Sequence, residues 1–176
     1  MIHSPSLGNQ IIVHPIHDLE ARMQAEYIYE DNFNKTTEWS SQDDRKTTAQ
    51  KNFIDNSFCS RIYNEQETLT IANRIRRWIV EKKFHRPLAS NYHWWVTNNY
   101  DEEFTPDGDI CANFYVKSSP DTGQFLIWSN KVTPKQDHVY LFPGKIKYAH
   151  SPNYSNEDRM IISYSFYWGG DPQFNV

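Results

Sequence analysis

The chain has 176 residues, of which 23% are charged, and a formal net charge of -4. This length predicts a single domain, 1–176, large enough to close one core without disulfides or structural metal. The acidic balance gives no general attraction to a phosphate backbone or an anionic membrane, so neither nucleic acid nor membrane is an expected partner. Two cysteines, Cys59 and Cys111, are too few for a disulfide framework and fit a reducing cytoplasm.

The first residues show no targeting pattern, because no basic start precedes an apolar core. No stretch approaches the roughly 20 apolar residues that cross a bilayer. We therefore expect neither export nor anchoring. Aromatic residues make up 15% of the chain, and they favour strands and fill the interiors of small barrels. A stacking platform for nucleic acid would need interleaved Lys and Arg, which the tryptophan-containing segments lack.

The N-terminal part, 1–87, is predicted to consist of helices and loops that pack on a sheet. A helix is expected over 17–30, with Leu19, Met23 and Tyr27 at spacings of four. The polar stretch that follows, 31–52, indicates a long loop or a mobile flap. A second helix is expected over 65–83, with one apolar face formed by Leu69, Ala72, Ile75 and Ile79.

The remainder, 88–170, changes to short runs of β-preferring residues between clusters of turn residues. Five or more such strands suggest a sandwich or a barrel, so the chain is predicted to be mainly β with packing helices, an α+β arrangement. The predicted strands are 92–97, 110–117, 124–129, 138–142 and 160–168.

The most informative segment is 138–168. An apolar strand ends at Phe142-Pro143, the chain returns to His150, and after a polar loop a strand opens with Arg159. In a barrel this order places His150 near one strand end and Arg159 near the start of the next. Both side chains are therefore expected to face one pocket.

This segment resembles the C-terminal motif of the iron(II)- and 2-oxoglutarate-dependent oxygenases, especially small phage and bacterial members related to prolyl hydroxylases. The resemblance covers about 75 residues and rests on Phe142-Pro143, His150, Arg159 and the strand MIISYSFYW. It implies a double-stranded β-helix (jelly roll) over 88–170. It also implies that His150 is the distal iron ligand and that Arg159 binds the far carboxylate of 2-oxoglutarate. Imidazole is a good ligand for ferrous iron, and a guanidinium binds a carboxylate bidentately.

The upstream half of the motif is altered. Relatives have His-x-Asp or His-x-His before an aromatic strand, and here Asp107 and Asp109 precede the strand that contains Asn113-Phe114-Tyr115-Val116. The resemblance makes Asp107 and Asp109 candidate metal ligands and Tyr115 a candidate hydrogen-bond donor to 2-oxoglutarate, although a packed strand tyrosine is the commoner case. A register with a gap offers Glu102 or Glu103 instead.

Replacing a histidine by a carboxylate changes the expected metal chemistry. Two histidines and one carboxylate leave open positions on iron for a keto acid and dioxygen. A second carboxylate adds negative charge beside a dianionic cosubstrate and lowers the preference for iron over harder cations. Two alternatives follow: a site of Asp107, Asp109 and His150 that still binds a divalent metal, or a degenerate site that has lost the redox chemistry.

The remaining histidines are interpreted as structural or exposed. His14 and His17 have a spacing that could hold a metal, but no partner residues lie near them in the sequence. His93 and His138 lie in or beside apolar strands, and His85 follows a basic run. Lys117 is interpreted as a surface residue and Tyr148 as a core residue.

The leading functional hypothesis is a 2-oxoglutarate/Fe(II)-dependent dioxygenase that hydroxylates a small-molecule or protein substrate, with iron(II) and 2-oxoglutarate as cofactors. The first alternative is a catalytically degenerate jelly-roll protein that binds a ligand or a partner after losing the iron site. A metal-independent, cupin-like isomerase is the third possibility, although the sequence offers no base with a convincing partner. The sequence specifies neither the substrate nor the oligomeric state.

Overall fold

The computed structural model describes residues 10–39, 70–99 and 101–169; the side chains of 31–39 and of residue 98 lie outside the description. The elements in chain order are β1 (Ile12–Pro15), α1 (Leu19–Trp39), α2 (Arg74–Glu81, π-helical), its continuation Lys82–Phe84, β2 (Leu88–Asn98), β3 (Ile110–Lys117), a 3-10 turn (Pro120–Thr122), β4 (Phe125–Ile127), β5 (Asn130–Val132), β6 (His138–Pro143), β7 (Tyr148–His150) and β8 (Met160–Trp168). The chain is thus mainly β with packing helices, as the sequence predicts.

The strands form two antiparallel sheets. The larger sheet has the order β1-β6-β3-β8-β2, and the smaller one has the order β5-β4-β7. β3 lies between β6 and β8, and its residue Asn113 pairs with Tyr140 on one side and Ser163 on the other. Because successive side chains of a strand point to opposite faces, β3 contributes to two separate cores.

One core fills the space between the two sheets. Its fully buried aromatic residues include Tyr115 and Phe142 from the larger sheet and Phe125 from the smaller one. The rings of Phe125 and Phe142 meet edge to face with centroids 5.1 Å apart. This core holds the sheets together by burial of apolar area, and it forms the walls of the interior in which the candidate site lies.

The other core lies between the larger sheet and the helices. Along β3 and β8, the side chains that alternate with those of the first core point to the helix side of the larger sheet. Phe114 and Ile162 are examples, and both are fully buried. From α2, Ile75 and Ile79 pack here, which agrees with the predicted apolar face of that helix. From α1, the buried residues are Ala21, Ala25 and Ile28.

The structure corrects one expectation about α1. The helix begins at Leu19 and continues to Trp39, so 31–39 is helical where the sequence predicts a loop or flap. Residues 40–52 of that predicted loop, like 65–69 of the second predicted helix, lie outside the described residues. The large residues with fourfold spacing, Leu19, Met23 and Tyr27, are exposed, and the opposite face of the helix is buried.

Strand positions mostly match the prediction. β3 and β8 have the predicted bounds, whereas β5 lies in a segment that was interpreted as a turn. No helix among the described residues is long and apolar enough to cross a membrane.

Candidate functional site in the barrel interior

His150 ends β7 and points between the two sheets. Its side chain is almost fully enclosed, with 5% of the residue exposed. The ring stacks on Phe125 with centroids 5.3 Å apart, and the rings of Tyr115 and Tyr148 meet it edge-on. An aromatic cage of this kind fixes the orientation of the imidazole and excludes water from it.

The Nε2 atom of His150 lies 2.6 Å from the hydroxyl of Tyr115, within hydrogen-bonding distance. Burial lowers the pKa of His150 well below its ordinary value, and the positive charge of Arg159 lowers it further. Burial raises the pKa of Tyr115 well above its ordinary value. Both groups are therefore neutral at pH 7, and a neutral imidazole can bind a metal or accept a proton.

Arg159 directly precedes β8, and its side chain is fully buried. Its Nη1 donates to two backbone carbonyls, that of Thr122 at 2.6 Å and that of Ser151 at 2.7 Å. Gly123, which has a φ of 109°, passes so close that a Cβ there would overlap this Nη1. Only glycine fits this conformation without strain, so the turn after Thr122 is part of the arginine's support.

The electrostatics of Arg159 follow from its position. Burial lowers the pKa of its guanidinium, because a cation loses hydration inside the fold. The nearby Tyr115 hydroxyl and the Asp101 carboxylate act on this pKa in the opposite direction. The guanidinium keeps its charge across the physiological range, since even a lowered arginine pKa lies far above 7. The interior therefore contains a fixed cation beside two neutral polar groups.

His150, Arg159 and Tyr115 are brought together by tertiary structure. Ser151, the residue after His150, accepts the hydrogen bond from Arg159, and Tyr115 reaches His150 from the facing sheet. The structure thus places the three residues named by the sequence motif in one interior. The carbonyls of Thr122 and Ser151 were not foreseen, and the only sequence signal for them is the turn that contains Gly123.

Asp107 and Asp109 lie at the other end of β3. Asp107 accepts a hydrogen bond from the hydroxyl of Tyr167 at 2.7 Å, and Asp109 accepts one from the backbone amide of Trp168 at 3.0 Å. Six residues separate Asp109 from Tyr115 along the chain, about 20 Å at about 3.3 Å per residue of strand. The two aspartates therefore lie far from the candidate site.

A metal site of Asp107, Asp109 and His150 does not fit this geometry. The physical reason is the strand register: Phe104 bridges Tyr148 in an antiparallel pair, so the chain beyond Phe104 runs away from His150, and Asp109 lies beside Gly144 instead. Glu102, the alternative from a register with a gap, is exposed and lies in a bend.

An iron(II) centre of the oxygenase type needs two histidines and one carboxylate as protein ligands. Within 10–39, 70–99 and 101–169, no group of three His, Cys, Asp or Glu side chains could hold a metal ion. The barrel interior supplies one imidazole, from His150. The described residues therefore do not fit a complete iron centre.

The other histidines have structural settings or are exposed. His93 lies 3.2 Å from the hydroxyl of Tyr167, and its ring meets that tyrosine edge-on. The Nδ1 of His138 lies 2.9 Å from the backbone carbonyl of Gln136. His85 is exposed and adopts a left-handed conformation at the end of the second helical segment.

The comparison with solved structures finds the same architecture. A Pseudomonas putida prolyl-4-hydroxylase superposes with a TM-score of 0.58 at 11% identity, over 93% of this chain and 96% of that one. The fold is a double-stranded β-helix. AviO1 from Streptomyces viridochromogenes Tue57 gives a TM-score of 0.57 at 10% identity, over 93% of this chain and 90% of that one.

The fold shared with these two solved structures is the predicted jelly roll. A Burkholderia pseudomallei oxidoreductase of the 2OG-Fe(II) oxygenase family matches with a TM-score of 0.46 at 14% identity, and the chain spans 61% of its length. No protein-family model matches the sequence, and no curated protein matches it. At these identities the likeness establishes the fold, and function has to be argued from the site.

Proposed function

We propose that the β-helix binds a 2-oxo dicarboxylate of the 2-oxoglutarate type, with Arg159 as the anchor for its far carboxylate and Tyr115 as a second donor. The observation that carries the proposal is the fully buried guanidinium of Arg159 in the same interior as Tyr115 and His150. A planar guanidinium matches a carboxylate geometrically, and the bond between them is charge-assisted.

The charge of the interior favours an anionic ligand. A buried cation costs free energy unless an opposite charge compensates it. Nη1 of Arg159 bonds to neutral backbone carbonyls, and Asp101, whose charge acts on the guanidinium, is itself exposed to solvent. A ligand carboxylate inside the barrel would add a charge-assisted hydrogen bond to this guanidinium at short range and away from water.

Tyr115 and His150 respond to such a ligand as a pair. Their mutual hydrogen bond directs the Tyr115 hydroxyl toward the imidazole. In the Nδ1-protonated tautomer of His150, Tyr115 donates to Nε2. Donation by Tyr115 to a ligand carboxylate then requires this bond to open, and the neutral Nε2 becomes available to the ligand or to a metal. Ligand binding and exposure of the His150 nitrogen are therefore coupled.

Iron(II)-dependent oxygenation of a small-molecule or protein substrate is the second candidate function, and the buried, neutral imidazole of His150 favours it, because such an imidazole can bind iron(II). Among the described residues it is the one ligand of the usual three that the interior supplies, so iron(II) would bind more weakly than at a complete site. The fold of prolyl-4-hydroxylase agrees with this candidate without establishing it.

Calorimetric titration with 2-oxoglutarate tests the proposal, first in EDTA and then anaerobically with iron(II). We expect saturable binding by the wild type and at least tenfold weaker binding by Arg159→Lys and by Tyr115→Phe. Tyr140→Phe is the matched control, because it also removes one hydroxyl from a buried tyrosine, but that hydroxyl accepts from the backbone amide of Lys135. Its affinity should equal that of the wild type.

The outcomes separate the candidates. Absence of binding under both conditions would refute the proposal, as would equal loss of affinity in Tyr140→Phe and Tyr115→Phe. Binding with succinate formation in the presence of iron(II) and oxygen supports the oxygenase. Binding without succinate supports a ligand-binding β-helix that lacks the redox reaction.

A further inference from the structure

Asn113 is a fully buried polar residue at the centre of β3. It pairs with Ser163 on β8, and its Oδ1 accepts a hydrogen bond from the Ser163 hydroxyl at 2.7 Å. Tyr115 follows two residues later on the same strand, so both side chains point to the same face of the sheet. Asn113 therefore belongs to the wall of the interior that contains the candidate site.

The other half of this amide is unsatisfied. Nδ2 of Asn113 has no hydrogen-bond acceptor among the described residues, although its atoms are shielded from solvent. A buried donor without an acceptor costs about 1 to 3 kcal/mol, and most buried polar groups in folded proteins have a partner. In this orientation the Ser163 hydroxyl bonds to the oxygen of the amide, and Nδ2 is directed away from Ser163.

The Nδ2 atom of Asn113 lies close to Tyr115 without a hydrogen bond of normal geometry to it. The donor side of the amide lowers the pKa of the Tyr115 phenol, against the larger opposite effect of burial. This donor is therefore near the hydroxyl that the proposed function assigns to the ligand. Asn113 and Tyr115 are two donors on neighbouring inward positions of β3, and Tyr115 in turn lies near the guanidinium of Arg159.

We propose that Asn113 is a specificity-determining residue of this interior, and that its Nδ2 donates to the far carboxylate of the bound ligand. The inference rests on the proposed function and deepens it, because it assigns a third donor to the far carboxylate and with it the selection against 2-oxo acids that lack this group. A carboxylate has enough acceptor positions for Arg159, Tyr115 and Asn113 together. A monocarboxylate of equal length would leave these donors unpaired in a buried site, and such sites reject analogues that lack the acceptor strongly.

The test compares 2-oxoglutarate with 2-oxopentanoate, which has a methyl group in place of the far carboxylate. Calorimetry gives the affinity ratio of the two ligands for each protein. In Asn113→Leu, which has a similar volume, we expect 2-oxoglutarate to bind at least tenfold more weakly and 2-oxopentanoate to bind equally well or better. The ratio therefore falls at least tenfold.

Asn113→Asp is the second variant, because it keeps the shape and replaces the donor by an acceptor. We expect a greater loss of 2-oxoglutarate affinity than in Asn113→Leu, and this variant decides the question if the leucine variant does not fold. Ser165→Ala is the control. Ser165, on β8, is likewise a buried polar residue, but its hydroxyl accepts a hydrogen bond from the backbone amide of Gly108. The affinity ratio of the two ligands for Ser165→Ala should equal that of the wild type.

The possible failures are distinguishable. If wild-type protein binds neither ligand, the proposed function fails and the inference fails with it. If the wild type prefers 2-oxoglutarate and the Asn113 variants keep the same ratio, the role of Asn113 is refuted while the proposed function stands.

Discussion

Replacing Tyr115 by Phe removes one oxygen atom from the barrel interior and leaves the ring in place. The ring contacts with Tyr140 and His150, at centroid distances of 5.2 and 5.6 Å, remain available to the phenylalanine. What is lost is the 2.6 Å hydrogen bond to Nε2 of His150. In the ligand-free protein the imidazole then keeps a buried nitrogen without this partner.

The expected cost follows from that orphaned nitrogen. A buried polar group that loses its hydrogen bond destabilises a protein by about 1 to 3 kcal/mol. For a chain of this size, 1 kcal/mol corresponds to about 3 °C in the melting temperature, so Tyr115→Phe should melt about 3 to 9 °C below the wild type. Urea unfolding should show a lower midpoint with an unchanged slope, because the unfolded chain exposes nearly the same surface.

A double-mutant cycle separates the hydrogen bond from the loss of the hydroxyl itself. His150→Phe leaves the Tyr115 hydroxyl without its partner, and the double variant removes both polar groups at once. Since an apolar pair has no orphaned atom, we expect the double variant to be more stable than the sum of the single effects implies, by about 1 to 2 kcal/mol. Strictly additive effects, or a Tyr115→Phe protein as stable as the wild type, would refute the buried pair.

Three further outcomes are expected. Gly123→Ala should destabilise the fold by several kcal/mol and weaken ligand binding, because the new Cβ would overlap Nη1 of Arg159 at a φ of 109°. Urea unfolding measures the loss of stability and calorimetry the loss of affinity. A variant with unchanged stability and affinity would contradict the supporting role of this turn. In metal-free protein the pKa of His150 is lowered, so the imidazole is neutral in both the folded and the unfolded state above the unfolded-state pKa of about 6.5. Below that pH only the unfolded chain takes up the proton, and the free energy of unfolding should fall by up to about 1.4 kcal/mol per pH unit. His150→Gln should show a shallower decline between pH 6.5 and 5, and an identical profile would count against a neutral imidazole. Asp107→Asn and Asp109→Asn should leave 2-oxoglutarate affinity and anaerobic iron(II) affinity unchanged in calorimetry, and a tenfold loss in either would return those residues to the site.

The strands that the sequence predicts well are those with a strong apolar pattern. β3 and β8 are buried along almost their whole length, so their limits are visible as continuous runs of β-preferring residues. β5 has only three residues, two of them exposed, in a segment with turn composition. Its pairing with β4 depends on a tertiary context that local pattern does not contain.

The helix α1 shows that the spacing of large residues can predict a helix without identifying its buried face. Leu19, Met23 and Tyr27 repeat every four residues and are large, yet all three are exposed. The buried face consists of Ala21, Ala25 and Ile28. Two of these three side chains are small and contribute little to a pattern weighted by hydrophobicity, so the sequence pattern does not reveal this face.

The candidate site was predictable in its second half. Arg159 directly precedes β8, whose limits are clear in the sequence, whereas His150 ends β7, a three-residue strand that the sequence does not predict. Their convergence followed from the expected return of the chain between two strands of a barrel. The candidate metal ligands were not predictable in the same way, because the segment before β3, 101–109, has no hydrophobic periodicity that would fix its register. Its placement depends on the bridge between Phe104 and Tyr148, two residues far apart in the chain.

The most direct test of ligand binding by Arg159 and Tyr115 between the two sheets is a crystal structure of the protein with 2-oxoglutarate. We expect electron density for the ligand between the two sheets, with its far carboxylate within 3.2 Å of Arg159 and of the Tyr115 hydroxyl, and with the bond between Tyr115 and His150 opened. Ligand density elsewhere on the molecule, or an interior that stays closed around an intact Tyr115–His150 bond at saturating ligand, would contradict the account.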